Sequence, residues 1–182
     1  MSIDPVFTAA LGVLLALLFA LAVAHKLADL GAFRIVLHDY RVLPDAMVTP
    51  ATAVVVITEV ALALALPWPR LGAIPAYAAV GLLAVYSAGI AVNLLRGRRT
   101  LECGCAPSTY RQPLSEWLLL RNLALMAAAA LLTFSPAERP LTWLDAVTVT
   151  GLVVAGAATW VAMQRLLAVV SASRLTPLRS PS

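Results

Sequence analysis

The 182 residues are 62% hydrophobic and only 12% charged, and a mean hydropathy of +0.91 lies far outside the soluble globular range. The net charge of +4 is no nucleic-acid signature, because the basic residues are spread over loops and helix ends, where membrane proteins ordinarily carry them. Composition thus excludes a soluble domain of any size and makes the lipid bilayer the first partner of the chain.

A spanning helix needs about 20 mostly apolar residues, since the hydrocarbon core is about 30 Å thick and a helix rises about 1.5 Å per residue. Five stretches qualify, at roughly 6–28, 47–67, 72–95, 114–134 and 143–169. The expected fold is all-α, a polytopic membrane bundle with a four-helix core and a fifth C-terminal transmembrane helix. It forms one membrane domain over 1–170, followed by a disordered basic tail over 171–182. No internal repeat is present. Ala22-Val23-Ala24 resembles a signal cleavage site, but no Lys or Arg precedes the apolar run and the run exceeds a signal core, so helix one is expected to be retained.

Helix one ends at His25-Lys26-Leu27-Ala28-Asp29, and an amphipathic connector follows to Pro44. Lys26 is expected to snorkel to the interface, and His25 to be interfacial. Helix two carries a lone acid, Glu59, and stops at Pro67-Trp68-Pro69. Helix three exits into Arg96, Arg98 and Arg99. The next segment holds Cys103-Gly104-Cys105, and Pro107 and Pro113 keep it non-helical. Helix four opens with Leu114-Ser115-Glu116-Trp117, where Ser115 is expected to cap and Glu116 suits the positive helix start. Arg121 and Asn122 follow inside its apolar run. Trp68, Trp117 and Trp143 sit near membrane boundaries as aromatic-belt anchors.

Helices two and three make a round trip, so the 25–44 connector and the cysteine segment lie on one face, with Arg121 roughly 10 Å beneath it. Lys26, Arg34, Arg41, Arg96, Arg98, Arg99, Arg111, Arg165, Arg174 and Arg179 lie on that side, against Arg70 and Arg139 on the other. The positive-inside rule then puts the N-terminus outside and the cysteine segment in the cytoplasm.

Cys103 and Cys105 are the only cysteines. Gly104 between them permits the tight, left-handed geometry needed to bring neighbouring sulfurs together. A disulfide in so small a ring is expected to be strained and hence labile, which suits exchange chemistry. Arg98, Arg99 and Arg121 would favour the thiolate, and Glu102 would oppose it. Three readings stay open for the pair: thiol–disulfide redox chemistry, soft-metal binding, or two inert cysteines. Ionisable groups inside a bilayer are functional candidates by default. Glu59 could stay protonated, pair with Arg121, or exchange protons linked to thiol oxidation, and a purely structural ion pair is the alternative.

In these residues the chain resembles the MauE family of methylamine-utilisation membrane proteins, distantly related to DoxX-like four-helix proteins. The resemblance covers Lys26-Leu27, Asp29 and Phe33, then 38–44 (His-Asp-Tyr40-Arg-Val-Leu-Pro), then Glu59. It continues through Asn93, Arg96-Gly97, Cys103-Gly104-Cys105 and Pro113-Leu114-Ser115 to Arg121-Asn122. Ala106-Pro107 stands where the family often has an aromatic residue and a glycine. The resemblance implies a protein of the inner membrane that helps mature a periplasmic, disulfide-rich subunit of methylamine dehydrogenase. Its partners would be a thioredoxin-like protein and that disulfide-containing client. Cys103, Cys105, Arg121 and Glu59 are then the candidate catalytic residues, with Gly104, Lys26, Tyr40 and Asn122 in support. No cofactor motif is evident. The layout is similar to that of quinone-linked disulfide-forming enzymes, which makes a quinone the cofactor to consider. Periplasmic maturation wants the thiols outside, opposite to the side that the charge asymmetry gives. A transporter or chaperone for Cu(I) or Hg(II), and a non-catalytic anchor subunit of a redox complex, are the competing functions.

Overall fold

The computed structural model describes residues 3–68, 71, 73–98, 101, 114–134, 139–140 and 142–175, with side chains described as far as residue 166. Six α-helices occur among the described residues: α1 (Pro5–Ala28), α2 (Leu30–Asp39), α3 (Asp45–Ala65), α4 (Ile74–Leu95), α5 (Glu116–Leu131) and α6 (Trp143–Leu175). Cys103, Gly104 and Cys105 lie outside the described residues, as does 176–182. Helix α6 runs to Leu175.

Local chemistry sets the helix limits. Pro5 is preorganised for the first turn of α1, and the Asp4 carboxylate accepts from the Val6 N–H at 2.9 Å. Asp29 leaves the helical conformation at the end of α1 and accepts from the Ala32 N–H at 2.8 Å, so one residue stops α1 and caps α2. The connector is therefore a helix of its own. At the end of α4, Gly97 takes φ +73° while its N–H donates to Leu94 and the Arg98 N–H donates to Asn93, a Schellman stop that only glycine makes without strain. Ser115 is extended before α5, but its side chain makes no capping bond.

Helices α1, α3, α4 and α5 close a four-membered ring, each packing against the next. Helix α6 packs on the outside of α1, and α2 lies against α1 and α3. Among the described residues, four helices (α1, α3, α4 and α6) are long and apolar enough to cross a membrane. The chain is a multi-pass membrane protein. With 16 residues, α5 is the short one, about 24 Å long. It nonetheless contributes to both apolar clusters of the bundle. Leu114 and Leu118 pack with Tyr40 and Ile90 in a near cluster, whereas Ala129 packs with Leu15, Phe19, Leu62, Leu66 and Ala79 in a far cluster.

Candidate functional site

Between the two apolar clusters lies a layer of buried polar side chains. Lys26, Glu59, Arg121 and Asn122 are all at most 7% exposed. Helix positions explain the layer. Tyr86 lies between Leu83 of the far cluster and Ile90 of the near one on α4, and Arg121 and Asn122 follow Leu118 and precede Ala129 on α5.

The Lys26 ammonium donates to Glu59 Oε1 at 2.5 Å, and the Tyr86 hydroxyl donates to the same oxygen at 2.6 Å. Lys26 Nζ also lies 5.1 Å from the centre of the Phe33 ring and 5.3 Å from that of Tyr86. The ammonium thus meets a carboxylate and two aromatic rings drawn from α2, α3 and α4. Placing one charge at mid-bilayer costs about 2.5–3.5 kcal/mol by insertion scales, so neither member is tolerable alone. A desolvated cation–π contact returns about 2 kcal/mol. Glu59 Oε2 is buried and has no hydrogen-bond partner. That oxygen has lone pairs to accept a further N–H or O–H donor while Oε1 keeps its two.

Two expectations are corrected by this geometry. Lys26 does not snorkel to the interface; it is 2% exposed and reaches inward. Glu59 pairs with Lys26 rather than with Arg121. The cause is side-chain direction. At 1.5 Å per residue Lys26 is about 21 Å along α1 from Gly12, and Glu59 about 10 Å along α3 from Leu66, the residue whose carbonyl faces Gly12. Helical side chains lean toward their own N-terminus, and α1 and α3 are antiparallel, so the two chains lean across the gap toward one another.

Arg121 instead places its guanidinium carbon 5.6 Å from the centre of the Trp160 ring on α6. Its Nε and the Asn122 Nδ2 are buried without hydrogen-bond partners. Nearer the connector face, Arg98 Nη1 donates to the Asp39 carbonyl at 2.7 Å and to Asn93 Oδ1 at 3.3 Å. Arg96 Nη1 donates to the Arg41 carbonyl at 3.1 Å, so the end of α4 is tied to the end of α2. Tyr40 is buried in the near cluster, its ring so close to Gly89 that an added Cβ would sit 3.4 Å from it. Beside it the Leu114 N–H donates to the Leu101 carbonyl at 3.0 Å, which closes the base of the 102–113 segment.

The structure thus brings Lys26 to Glu59, stacks Arg121 on another helix, and seats Tyr40 under the ends of the cysteine segment. His25, half-buried, takes no part in the layer. Among the described residues no group of three or more His, Cys, Asp and Glu is disposed to hold a metal ion. Sequence reasoning missed Tyr86, Trp160 and the carbonyl-binding role of Arg98. A signal for Trp160 existed: Trp68, Trp117 and Trp143 sit near membrane boundaries, but Trp160 lies deep in an apolar run. Tyr86 offered only a hydroxyl in an otherwise apolar stretch.

The family model for methylamine utilisation protein MauE matches residues 4–135. The chain belongs to the MauE family. The match spans α1 to α5 and stops short of α6. The chain is 41% identical over 139 residues to methylamine utilization protein MauE of Paracoccus denitrificans, covering 76% of this chain and 75% of that one. It is 38% identical over 141 residues to the protein of the same name from Paracoccus versutus, covering 75% and 74%. Against that of Methylorubrum extorquens the identity is 32% over 141 residues, covering 75% and 76%. No solved structure matches the chain.

Proposed function

We propose that this MauE-family protein serves methylamine utilisation as a thiol–disulfide redox or maturation factor of the inner membrane. Cys103 and Cys105 form the exchanging pair. A client thiolate attacks their disulfide, a mixed disulfide forms, and the second client thiolate resolves it, leaving the client oxidised and the pair reduced. A thioredoxin-like protein in its disulfide form reoxidises the pair by the reverse exchange. The client is a disulfide-containing protein such as a methylamine dehydrogenase subunit. Arg121 favours the attacking or leaving thiolate, and the bare oxygen of Glu59 takes and returns protons. Helix α5 serves as the fifth crossing.

One observation carries this reading. The half of the bundle that holds the closed base of the cysteine segment, Leu101 to Leu114, also holds the buried cation Arg121, one and a half turns into α5. A buried cation below a thiol pair is the environment in which thiolates become reactive.

Trapping the thiols in native membranes, by alkylation with and without prior reductant, tests the reading. A mixture of oxidised and reduced pair is expected, with loss of client maturation in the Cys103→Ser/Cys105→Ser variant. A pair that stays reduced, together with full function in the double variant, would overturn it. A membrane-impermeant thiol reagent applied to intact cells reports which side the pair faces.

A further inference from the structure

Helix α2 joins the ends of two crossings and cannot itself cross, since its 10 residues span about 15 Å. It lies against α1 and α3 where they meet the connector face, which is the level of the membrane boundary. Its inner side is fixed. The Phe33 ring faces the buried Lys26 ammonium, and Arg98 and Arg96 donate to the Asp39 and Arg41 carbonyls at its C-terminal end. Its outer side is open. Arg34, Ile35 and His38 form one exposed stripe at helical spacing, with Ile35 63% exposed, and Arg41, Val42 and Leu43 continue exposed beyond the helix end.

The charges on this face do not cancel locally. The Asp29 carboxylate caps α2, and Asp39 and Asp45 both lie at His38, 3.6 Å from Nδ1 and 3.3 Å from Nε2. Among the described residues no carboxylate pairs with Arg34, Arg41 or Arg96, and Arg96 binds a carbonyl through Nη1. A guanidinium carries five N–H donors, so each keeps most of its capacity for an acceptor. Arg41 also holds φ +47°, a conformation that glycine takes freely and a residue with a side chain takes at a cost. Such a backbone outlier points to a use for the side chain it carries. Exposed cations beside exposed apolar side chains, at the membrane boundary, match the chemistry of an anionic phospholipid. Its phosphate answers the guanidinium, and its chains cover the apolar groups.

We propose that α2 is an interfacial helix that binds anionic phospholipid, with Arg34, Arg41 and Arg96 on the headgroup phosphates and Ile35, Val42 and Leu43 in the acyl boundary. The same helix carries Phe33 onto Lys26, so lipid that holds α2 in place also holds one wall of the Lys26–Glu59 pair. The proposal does not rest on the thiol chemistry, and it holds whichever leaflet the connector faces.

The test is amide hydrogen exchange of the full-length protein in nanodiscs of phosphatidylcholine alone or mixed equally with phosphatidylglycerol. Exchange is read over α2, with the α5 amides as internal control. Phosphatidylglycerol is expected to slow α2 by about fivefold for each engaged arginine and to leave α5 unchanged. Arg34→Gln/Arg41→Gln should remove most of that difference, Arg34→Lys/Arg41→Lys should keep most of it, and added salt should shrink it. Ile35→Ser should speed α2 exchange in both lipids. Equal exchange of α2 in the two lipids would overturn the proposal, as would an equal slowing of α2 and α5. A slowing that survives Arg34→Gln/Arg41→Gln takes the site away from these arginines and overturns it too. If inorganic phosphate added to phosphatidylcholine nanodiscs slows α2 as much, the face is a general anion site and the lipid assignment falls. Wild-type exchange in Ile35→Ser overturns the acyl seating. Should the double glutamine variant fail to fold, the salt dependence of the wild-type difference decides, and its absence counts against the proposal.

Discussion

Lys26 and Glu59, 33 residues apart on antiparallel helices, form a buried ion pair whose carboxylate also accepts from Tyr86 and keeps one oxygen free. The pair joins α1 to α3 inside the ring of four helices, and its two aromatic neighbours extend the join to α2 and α4.

Breaking that pair from one side leaves an uncompensated charge in a dry interior. Lys26→Met and Glu59→Leu are each expected to lower stability by about 3–5 kcal/mol, and the double variant by less than either single change. Thermal melts of the detergent-solubilised proteins, run as a double-mutant cycle, check this.

Tyr86→Phe removes one donor and leaves the ring that faces Lys26. A loss of about 1 kcal/mol is expected, given the modest worth of hydrogen bonds between membrane helices. Tyr86→Leu, which removes the ring as well, should lose more. The same melts decide it, and equal losses would mean that the ring contributes nothing.

Two glycines should respond in opposite directions. A Cβ on Gly12 would fall 2.6 Å from the Leu66 carbonyl oxygen, a backbone atom that cannot turn aside. Gly12→Ala should therefore cost about 1–3 kcal/mol and loosen α1 from α3. Nothing lies within 4 Å of a Cβ on Gly151, so Gly151→Ala should be neutral or raise stability by up to about 1 kcal/mol through helix propensity.

The clasp at the far face should be sensitive to acid. The hydrogen bond from Arg139, and then that from the Val6 N–H, hold the Asp4 carboxyl below its ordinary value of 3.8. A carboxyl lowered on folding contributes stability that is fully present above its unfolded value and is lost as pH falls through the folded one. Melting temperature should therefore drop on acidification below about pH 4, and Asp4→Asn should flatten that part of the profile. Salt should weaken the same contribution, because the clasp is at the surface.

Much of the fold was legible because the bilayer imposes a simple demand. Each crossing must be long and apolar, so α1, α3, α4 and α6 stand out by composition, and Pro67, Pro69 and the arginines after α4 mark where crossings stop. Helix α2 was less legible. It is too short to cross and buries no residue, so its only mark was an amphipathic pattern. The polar members of the site were legible one by one, since a lysine, a glutamate and an arginine inside apolar runs each need a reason. Tyr86 and Trp160 gave weaker signals, because an aromatic ring is at home in an apolar helix whether or not its polar handle is used.

The sequence by itself determined that these ionisable groups had to be answered inside the bundle, and that the 25–44 connector and the end of α4 share one face. Both follow from the cost of charge in hydrocarbon and from counting crossings. Only the tertiary structure decided which cation answers Glu59. That choice depends on how α1 and α3 are offset, set by the contact of Gly12 with Leu66, and on side chains that lean toward their own helix starts. A shift of one turn, about 5.4 Å, would have changed the partner while leaving every residue equally apolar or polar.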